Sequence, residues 1–382
     1  MQIPEDRRLL ICSDWYYPAV KAGGPVRSVC NLAALLAGSL SIRVLTSDRD
    51  LGDSAPFNSV RSGSWQELTS GVGVFYGRGI QRGLEFVRSL RGWRPAVVYL
   101  NSMFSFWGTI WPLLWLRFCR RECRVVLAPR GMLKSSAMAF RRTKKSAFIL
   151  LARMCGLFRG VEFHATSAEE AAEIRKEIGD VRIHLVANVP QTPLRSLEDR
   201  EFTGRLRLVA VGRVHPIKNT HLIFEMLSHA GVACDLFIVG PEEDAVYSEV
   251  CRQAARAVQG LVSTVFCGTL SGGELEQMVG GADLMISPTS GENFGHAIFE
   301  ALASGTPVLI SDRTIWRDLA ASNAGWEFAT DRIQDFAGAI RSLSEMGPSA
   351  RQTLRQGALN FANSYVAKAG YVEAYGELFG KS

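Results

Sequence analysis

The 382-residue chain reads as an α/β protein built on doubly wound parallel sheets, and three observations point there. Short apolar runs of strand length recur in both halves, separated by stretches with helical periodicity. A stretch of prolines and charges at residues 190–204 divides those halves as a linker would. The segment Gly291 to Ile310 then passes from a glycine-bounded loop through a helical pattern to a buried strand, placing side chains where such sheets bind ligands. A content of 47% hydrophobic and 21% charged residues fits a folded globular protein and excludes a disordered or fibrous one.

The basic residues are not spread evenly. Residues 1–195 hold 28 Lys and Arg against 15 Asp and Glu, whereas the remainder is acidic, so the net charge of +6 hides two segments of opposite sign. The basic half suits an anionic membrane surface, a phosphorylated substrate or nucleic acid. Nucleic acid is disfavoured because the aromatics gather in Phe104–Phe118 and are not interleaved with the cations. Eight cysteines are scattered, and the one close pair, Cys119 and Cys123, has no nearby histidine to complete a zinc pattern. Leu9–Cys12 is too short for a secretory core, so a cytoplasmic enzyme with reduced thiols is expected.

In chain order, Leu9–Cys12 is a buried strand, and Ala22-Gly23-Gly24-Pro25 opens a helix to Ala37, with proline where its missing N–H costs nothing. Ser41–Thr46 is a second strand. The Asp48-Arg49-Asp50 triplet after it could hold a divalent cation, but its loop of turn formers reads as solvated, and no metal site is assigned. Gly71–Gly77 has the wrong spacing for a dinucleotide fingerprint and no strand before it. Ala96–Leu100 is a strand. The following apolar segment Phe104–Phe118, interrupted at Pro112, falls short of the ~20 residues of a membrane span and is expected as a buried helix. Arg124–Ala128 leads to Pro129-Arg130-Gly131. Arg141, Arg142, Lys144 and Lys145 then adjoin apolar Ala147–Leu151, a pattern for peripheral contact with anionic lipid. Val161–Ala165 and the helix start at Thr166-Ser167 follow.

The second half restarts with the strand Arg205–Gly212 and the loop bearing Arg213 and Lys218. Strands at Cys234–Val239, Thr264–Cys267, Leu284–Ser287 and Val308–Ile310 alternate with helices. A parallel sheet puts all their carboxyl ends on one edge, so Arg213, Lys218, Glu292 and Gly295 are expected to converge. Two cations, a helix start and the carboxylates Glu292 and Glu300 suit a nucleotide diphospho-sugar.

Gly212-Arg213 with Lys218, Glu292-Asn293-Phe294-Gly295 and Glu300 to Val308 resemble the retaining glycosyltransferases of family 4, within them the bacterial enzymes of surface-polysaccharide synthesis. The resemblance implies the GT-B architecture, two Rossmann-like doubly wound domains facing across a cleft. It implies an acceptor-binding domain at 1–190, a linker at 191–204, a nucleotide-sugar domain at 205–364 and a C-terminal helix at 365–382 crossing back to the first domain. Arg213 and Lys218 would bind the donor diphosphate, and Glu292 the donor sugar. The amides of Phe294 and Gly295 beside Asn293 would add donor contacts, and Glu300 would take the ribose hydroxyls. The base would lie near Gly268 and Leu270, and Gly24 would let its loop close on the phosphates. Arg130, Gly131 and His164 would lie on the acceptor side.

The implied reaction is metal-independent and cofactor-free transfer of a sugar to a lipid-linked or saccharide acceptor, peripheral to the inner face of the plasma membrane. A non-catalytic sugar-nucleotide-binding subunit and a GT-B epimerase are the alternatives. Two departures stand out. Arg130 occupies a position where many relatives carry histidine, and Ala187-Asn188-Val189-Pro190 lacks the usual Pro-Asn-Gly order.

Overall fold

A computed structural model describes residues 7–69, 71–119, 123–134, 138, 142–190, 204–270, 272–368 and 370–380. The expected linker at 191–204 and the first of the basic cluster, Arg141, therefore lie almost wholly outside the described residues. The rest falls into two units, one running to Val189 and taking in the segment from Gly370, the other beginning at Pro190. Each is an α/β layer structure around one sheet.

The first sheet contains β1 (Arg8–Cys12), β2 (Ser41–Thr46), β3 (Trp65–Thr69), β4 (Val72–Tyr76), β5 (Val97–Leu100), β6 (Arg124–Leu127), β7 (Val161–Ala165) and β8 (Ile183–Leu185). Its order is β3-β4-β2-β1-β5-β6-β7-β8, parallel throughout except for the β3–β4 pair. The Gly71–Gly77 stretch is thus a strand preceded by a strand: Val72, Val74 and Tyr76 are buried, which its glycines obscured. The Phe104–Phe118 segment is also only partly as expected. It forms a π-helical turn Phe106–Ile110 leading into the helix Trp111–Cys119, and its ends, Phe106 and Phe118, are exposed. Pro112 does not break that helix. It sits in the first turn, where no intrahelical N–H is lost.

The second sheet contains β9 (Leu206–Val211), β10 (Cys234–Val239), β11 (Val262–Gly268), β12 (Leu284–Ser287), β13 (Val308–Ser311) and β14 (Gly325–Phe328). The order β11-β10-β9-β12-β13-β14 is parallel in every pair. Leu208, Leu236, Leu284 and Leu309 are buried in the core on one face, and Val209, Met285, Val308 and Ile310 in the core on the other. That burial on both faces is why these strands read as near-continuous apolar runs.

A helix from Pro348 to Lys368 runs past the boundary expected at 365, and the return to the first unit begins at Gly370. The last helix, Tyr371–Phe379, lies on the first sheet: Tyr375 donates to the Ala187 carbonyl at 3.0 Å, and Phe379 meets Tyr99 edge-on at 5.3 Å. Arg124 on β6 donates to the carbonyls of Leu378 and Gly380, the two ends of one grip. The same guanidinium makes a two-point pair with Glu162 on β7, which also meets His184.

The bonds from Arg124 and then His184 hold the Glu162 carboxyl down at about 2 despite its burial. Because the folded value lies below the unfolded one, the stabilisation is present above pH ~4.5 and is lost as pH falls towards 2. Glu162→Gln should lower stability by roughly 2–3 kcal/mol at pH 7. Its thermal-melting deficit should close as the pH is taken down through that window.

Candidate active site

The carboxyl ends of β9, β10 and β11 carry Gly212, Gly240 and Gly268, and at Gly240 backbone meets backbone. A Cβ on Gly240 would lie 2.0 Å from the Gly212 carbonyl oxygen. The Gly212 amide donates to Val239 O at 2.8 Å, and the Gly240 amide to Gly268 O at 2.7 Å. Gly268 (φ 65°) ends β11, and half-buried Leu270 packs on the apolar core beside it.

From β9 the chain passes Gly212 and Arg213 into a single 3₁₀ turn, Pro216–Lys218, closed by Asn219 in the left-handed conformation. That turn is stitched to the loop after β12. Asn219 Nδ2 donates to Pro288 O at 3.0 Å and Ser290 Oγ at 2.9 Å, and the Ser290 amide donates to Ile217 O at 2.7 Å. Thr289, fully buried, donates from Oγ1 to Ile217 O. These bonds bring Lys218 Nζ into direct contact with Glu292 Oε1, across 74 residues of sequence. Both side chains are about four-fifths buried, so the pair is far less screened than a surface one.

Glu292 precedes the helix His296–Ala303, and Gly295 caps its start at φ 77° without a side-chain cap. A Cβ there would come within 3.0 Å of Ile298 Cδ1 and 3.2 Å of Trp316 Nε1. Phe294 turns its ring inward against Trp316 (5.2 Å), in a cluster with Phe299 and Tyr365, which leaves only its backbone for a ligand. Asn293 is half-buried between them, and half-buried Glu300 stands on the second helical turn. The expected convergence therefore holds for Lys218, Glu292 and Gly295. Arg213 stands beside Gly212 on the same edge, and its guanidinium pairs at 2.9 Å with Glu243, in the loop after β10. Sequence reading missed Glu243, Asn219, Thr289 and Ser290. Asn219 carried a signal, as a residue suited to a left-handed turn between a strand and a helix.

In the first unit, Gly23 (φ 66°) caps the helix Gly24–Leu36, placing Gly24 at its first residue. Arg130 and His164 share one buried network, and Gly131 belongs to a second. Arg130 donates from Nε to Asn101 Oδ1 at 2.6 Å, from one terminal nitrogen to Asn188 Oδ1, and from the other to Tyr99 Oη at 2.8 Å. His164 Nε2 meets the Val186 carbonyl at 2.8 Å and must donate to it. Nδ1 is then the acceptor for the Tyr99 hydroxyl at 2.7 Å. Burial, and then the Arg130 charge, hold the His164 imidazole down at about 3. The Gly131 amide donates to the fully buried Glu170, which also takes the Thr166 amide and hydroxyl. The Asp48-Arg49-Asp50 triplet is likewise committed. Asp48 takes Arg49 and Ser62, and Asp50 takes the amides of Val20, Lys21 and Leu51.

Residues 198–360 match the family model of glycosyl transferases group 1. The sulfoquinovosyl transferase SQD2 of Arabidopsis thaliana is 25% identical over 232 residues, 60% of this chain and 39% of that protein. The chain spans about two fifths of the length of the first curated relatives it matches. Among solved structures, a sucrose-phosphate synthase from Thermosynechococcus elongatus superposes with a TM-score of 0.73 at 16% identity, covering 98% of each chain. Anabaena HepE, in complex with UDP and glucose, gives 0.69 at 15% identity over 97% of this chain and 99% of its own. Two Rossmann-like parallel-sheet domains of the GT-B type are the fold. Residues 198–360 are thus similar to the group 1 glycosyltransferases.

A neutral, fully bonded His164 should show no titration of its ring resonances by NMR across pH 5–8, the range in which an ordinary histidine changes charge. Arg130→Lys keeps the charge but not the three-way fork, and should cost about 2–4 kcal/mol of stability in denaturant unfolding.

Proposed function

We propose that this chain is a retaining glycosyltransferase that moves a sugar from a nucleoside diphosphate to an acceptor hydroxyl. The observation that carries the reading is the Lys218–Glu292 contact at the glycine-lined edge of the second sheet, between a 3₁₀ turn and a helix start. An ammonium and a carboxylate fixed side by side match the two ends of a sugar phosphate bond. Lys218 meets the phosphate, whose negative charge grows as the bond breaks, and Glu292 accepts hydrogen bonds from the sugar. A diphosphate competes for Lys218 and frees Glu292 for that task. Arg213 reaches the same phosphates by leaving Glu243, an exposed pairing of little net strength. Glu300 binds the ribose, and the Gly268–Leu270 stretch lies beside the base. The solved neighbours that hold UDP or UDP-glucose support a nucleotide-sugar donor. Anomeric configuration is retained by front-face substitution, with the leaving phosphate itself aiding the incoming hydroxyl.

The transfer needs no divalent metal. The carboxylates of the one Asp-x-Asp triplet are already committed to Arg49, to Ser62 and to backbone amides, which supports this reading. The acceptor is a saccharide or lipid-linked saccharide of a bacterial surface polysaccharide, met at the inner face of the membrane. Among the described residues no helix is long and apolar enough to cross a membrane. The helix Arg142–Met154 instead exposes Leu150, Leu151 and Met154 together with Lys144 and Arg153, a face that suits anionic lipid.

A thermal-shift panel of UDP-glucose, UDP-galactose, UDP-N-acetylglucosamine, GDP-mannose and ADP-glucose should raise the melting temperature with at least one member. With that donor, Lys218→Ala should lose about 10²–10³-fold in kcat. No shift across the panel, or unchanged turnover in the variant, would overturn the reading. Activity should survive chelation by EDTA. Replacing Leu150, Leu151 and Met154 by Ser should reduce sedimentation with phosphatidylglycerol vesicles.

A further inference from the structure

A donor that takes Lys218 removes the side-chain contact that holds Glu292, yet the carboxylate must stay in place to meet the sugar. The Glu292 backbone is held from another side, by the turn that follows β13. Its amide donates to the Arg313 carbonyl at 3.3 Å. Arg313 is fixed in turn by Ser311, the last residue of β13, which is fully buried. The Ser311 hydroxyl donates to the Thr289 carbonyl at 2.5 Å and accepts the Arg313 amide at 3.3 Å. Thr289 donates from its own hydroxyl to Ile217 O and receives the Gly291 amide at 3.3 Å. Through Thr289, one serine hydroxyl thus joins the loops after β9, β12 and β13.

The turn is also closed on itself. Exposed Arg317 donates from one terminal nitrogen to Trp316 O and from the other to Asp312 O, both at 2.8 Å. The Asp312 amide donates to Phe328 O, at the end of β14, at 2.8 Å. Trp316 anchors the far end: its ring is buried and meets Phe294 at 5.2 Å and Tyr365 at 4.9 Å. A turn tied at both ends keeps few conformations, so the Arg313 carbonyl is a fixed point for the Glu292 amide. The precision matters, because misplacing a group in a reaction by about 1 Å can cost ~10²-fold in rate.

We infer that Ser311 and Arg317 are positioning residues for the Glu292 carboxylate, acting through the Arg313 carbonyl, and that they govern how tightly the sugar is held rather than the nucleotide. The inference rests on the transferase reading above, in which Glu292 meets the sugar and Lys218 the phosphate.

Isothermal titration of the full-length protein tests it, with UDP-glucose, UDP-galactose, UDP-N-acetylglucosamine, GDP-mannose and ADP-glucose set against UDP, GDP and ADP alone. For the nucleotide sugar that binds the parent, affinity should fall about tenfold in Ser311→Ala and about threefold in Arg317→Gln. Affinity for the matching diphosphate alone should change by less than about twofold in either variant. The Arg317 side chain is exposed, so the second variant tests the inference even if the first fails to fold. Phe336→Leu, in the core on the other face of the sheet, is the control for lost stability and should not separate the two ligands. Equal losses for nucleotide sugar and diphosphate, no loss in Arg317→Gln or in folded Ser311→Ala, or the same separation in Phe336→Leu, would overturn the assignment. In each of those cases the parent still binds its nucleotide sugar, and the transferase reading stands. If no nucleotide sugar binds the parent, that reading fails and the positioning role fails with it.

Discussion

The parallel placement of β9 between β10 and β12 is the constraint on which the second unit's chemistry depends. It brings the Gly212 carbonyl against Gly240, which leaves no room there for a side chain, and it sends the loops after β9 and β12 out of the sheet side by side. Asn219, Thr289 and Ser290 then sew those loops together through main-chain atoms. Lys218 and Glu292 meet as a result, and their charges are partly withdrawn from water by the same packing that fixes them.

The two units use one architecture for opposite ends. At the strand ends of the second, Lys218 and Glu292 are mostly buried, whereas Arg213 is paired with Glu243 nearer the surface. The first buries most of its polar groups at that level, as the chain of donors from Arg130 through Tyr99 and His164 to Val186 shows. Every hydrogen on that path has one place to go, so the network rigidifies the sheet edge and leaves the histidine no proton to exchange near neutrality. Arg130 therefore acts here as a tie between β5, β6 and the segment around Asn188.

Much of this was legible in the sequence. Strands such as Val97–Leu100 and Leu284–Ser287 are buried on both faces, and burial on both faces writes itself into composition. That Lys218 and Glu292 would share one edge followed from strand alternation, because parallel sheets place every carboxyl end there; their direct pairing did not. Other features were hidden for identifiable reasons. Val72–Tyr76 was masked by glycines that a strand ordinarily disfavours. Arg213's attachment to Glu243 depends on where two long side chains settle on a surface, which periodicity does not encode. The inward ring of Phe294 depends on Trp316 and Tyr365, distant residues whose meeting only the fold specifies.

The grip of Arg124 on the carbonyls of Leu378 and Gly380 has a consequence for how the protein is made. The first unit is discontinuous: its sheet is finished by a helix that leaves the ribosome after the whole of the second unit. Domains ordinarily mature in the order in which they are synthesised. Here the earlier-translated unit is the later one to be completed, with Tyr99 and the His164 ring awaiting the aromatic cover of Tyr375 and Phe379.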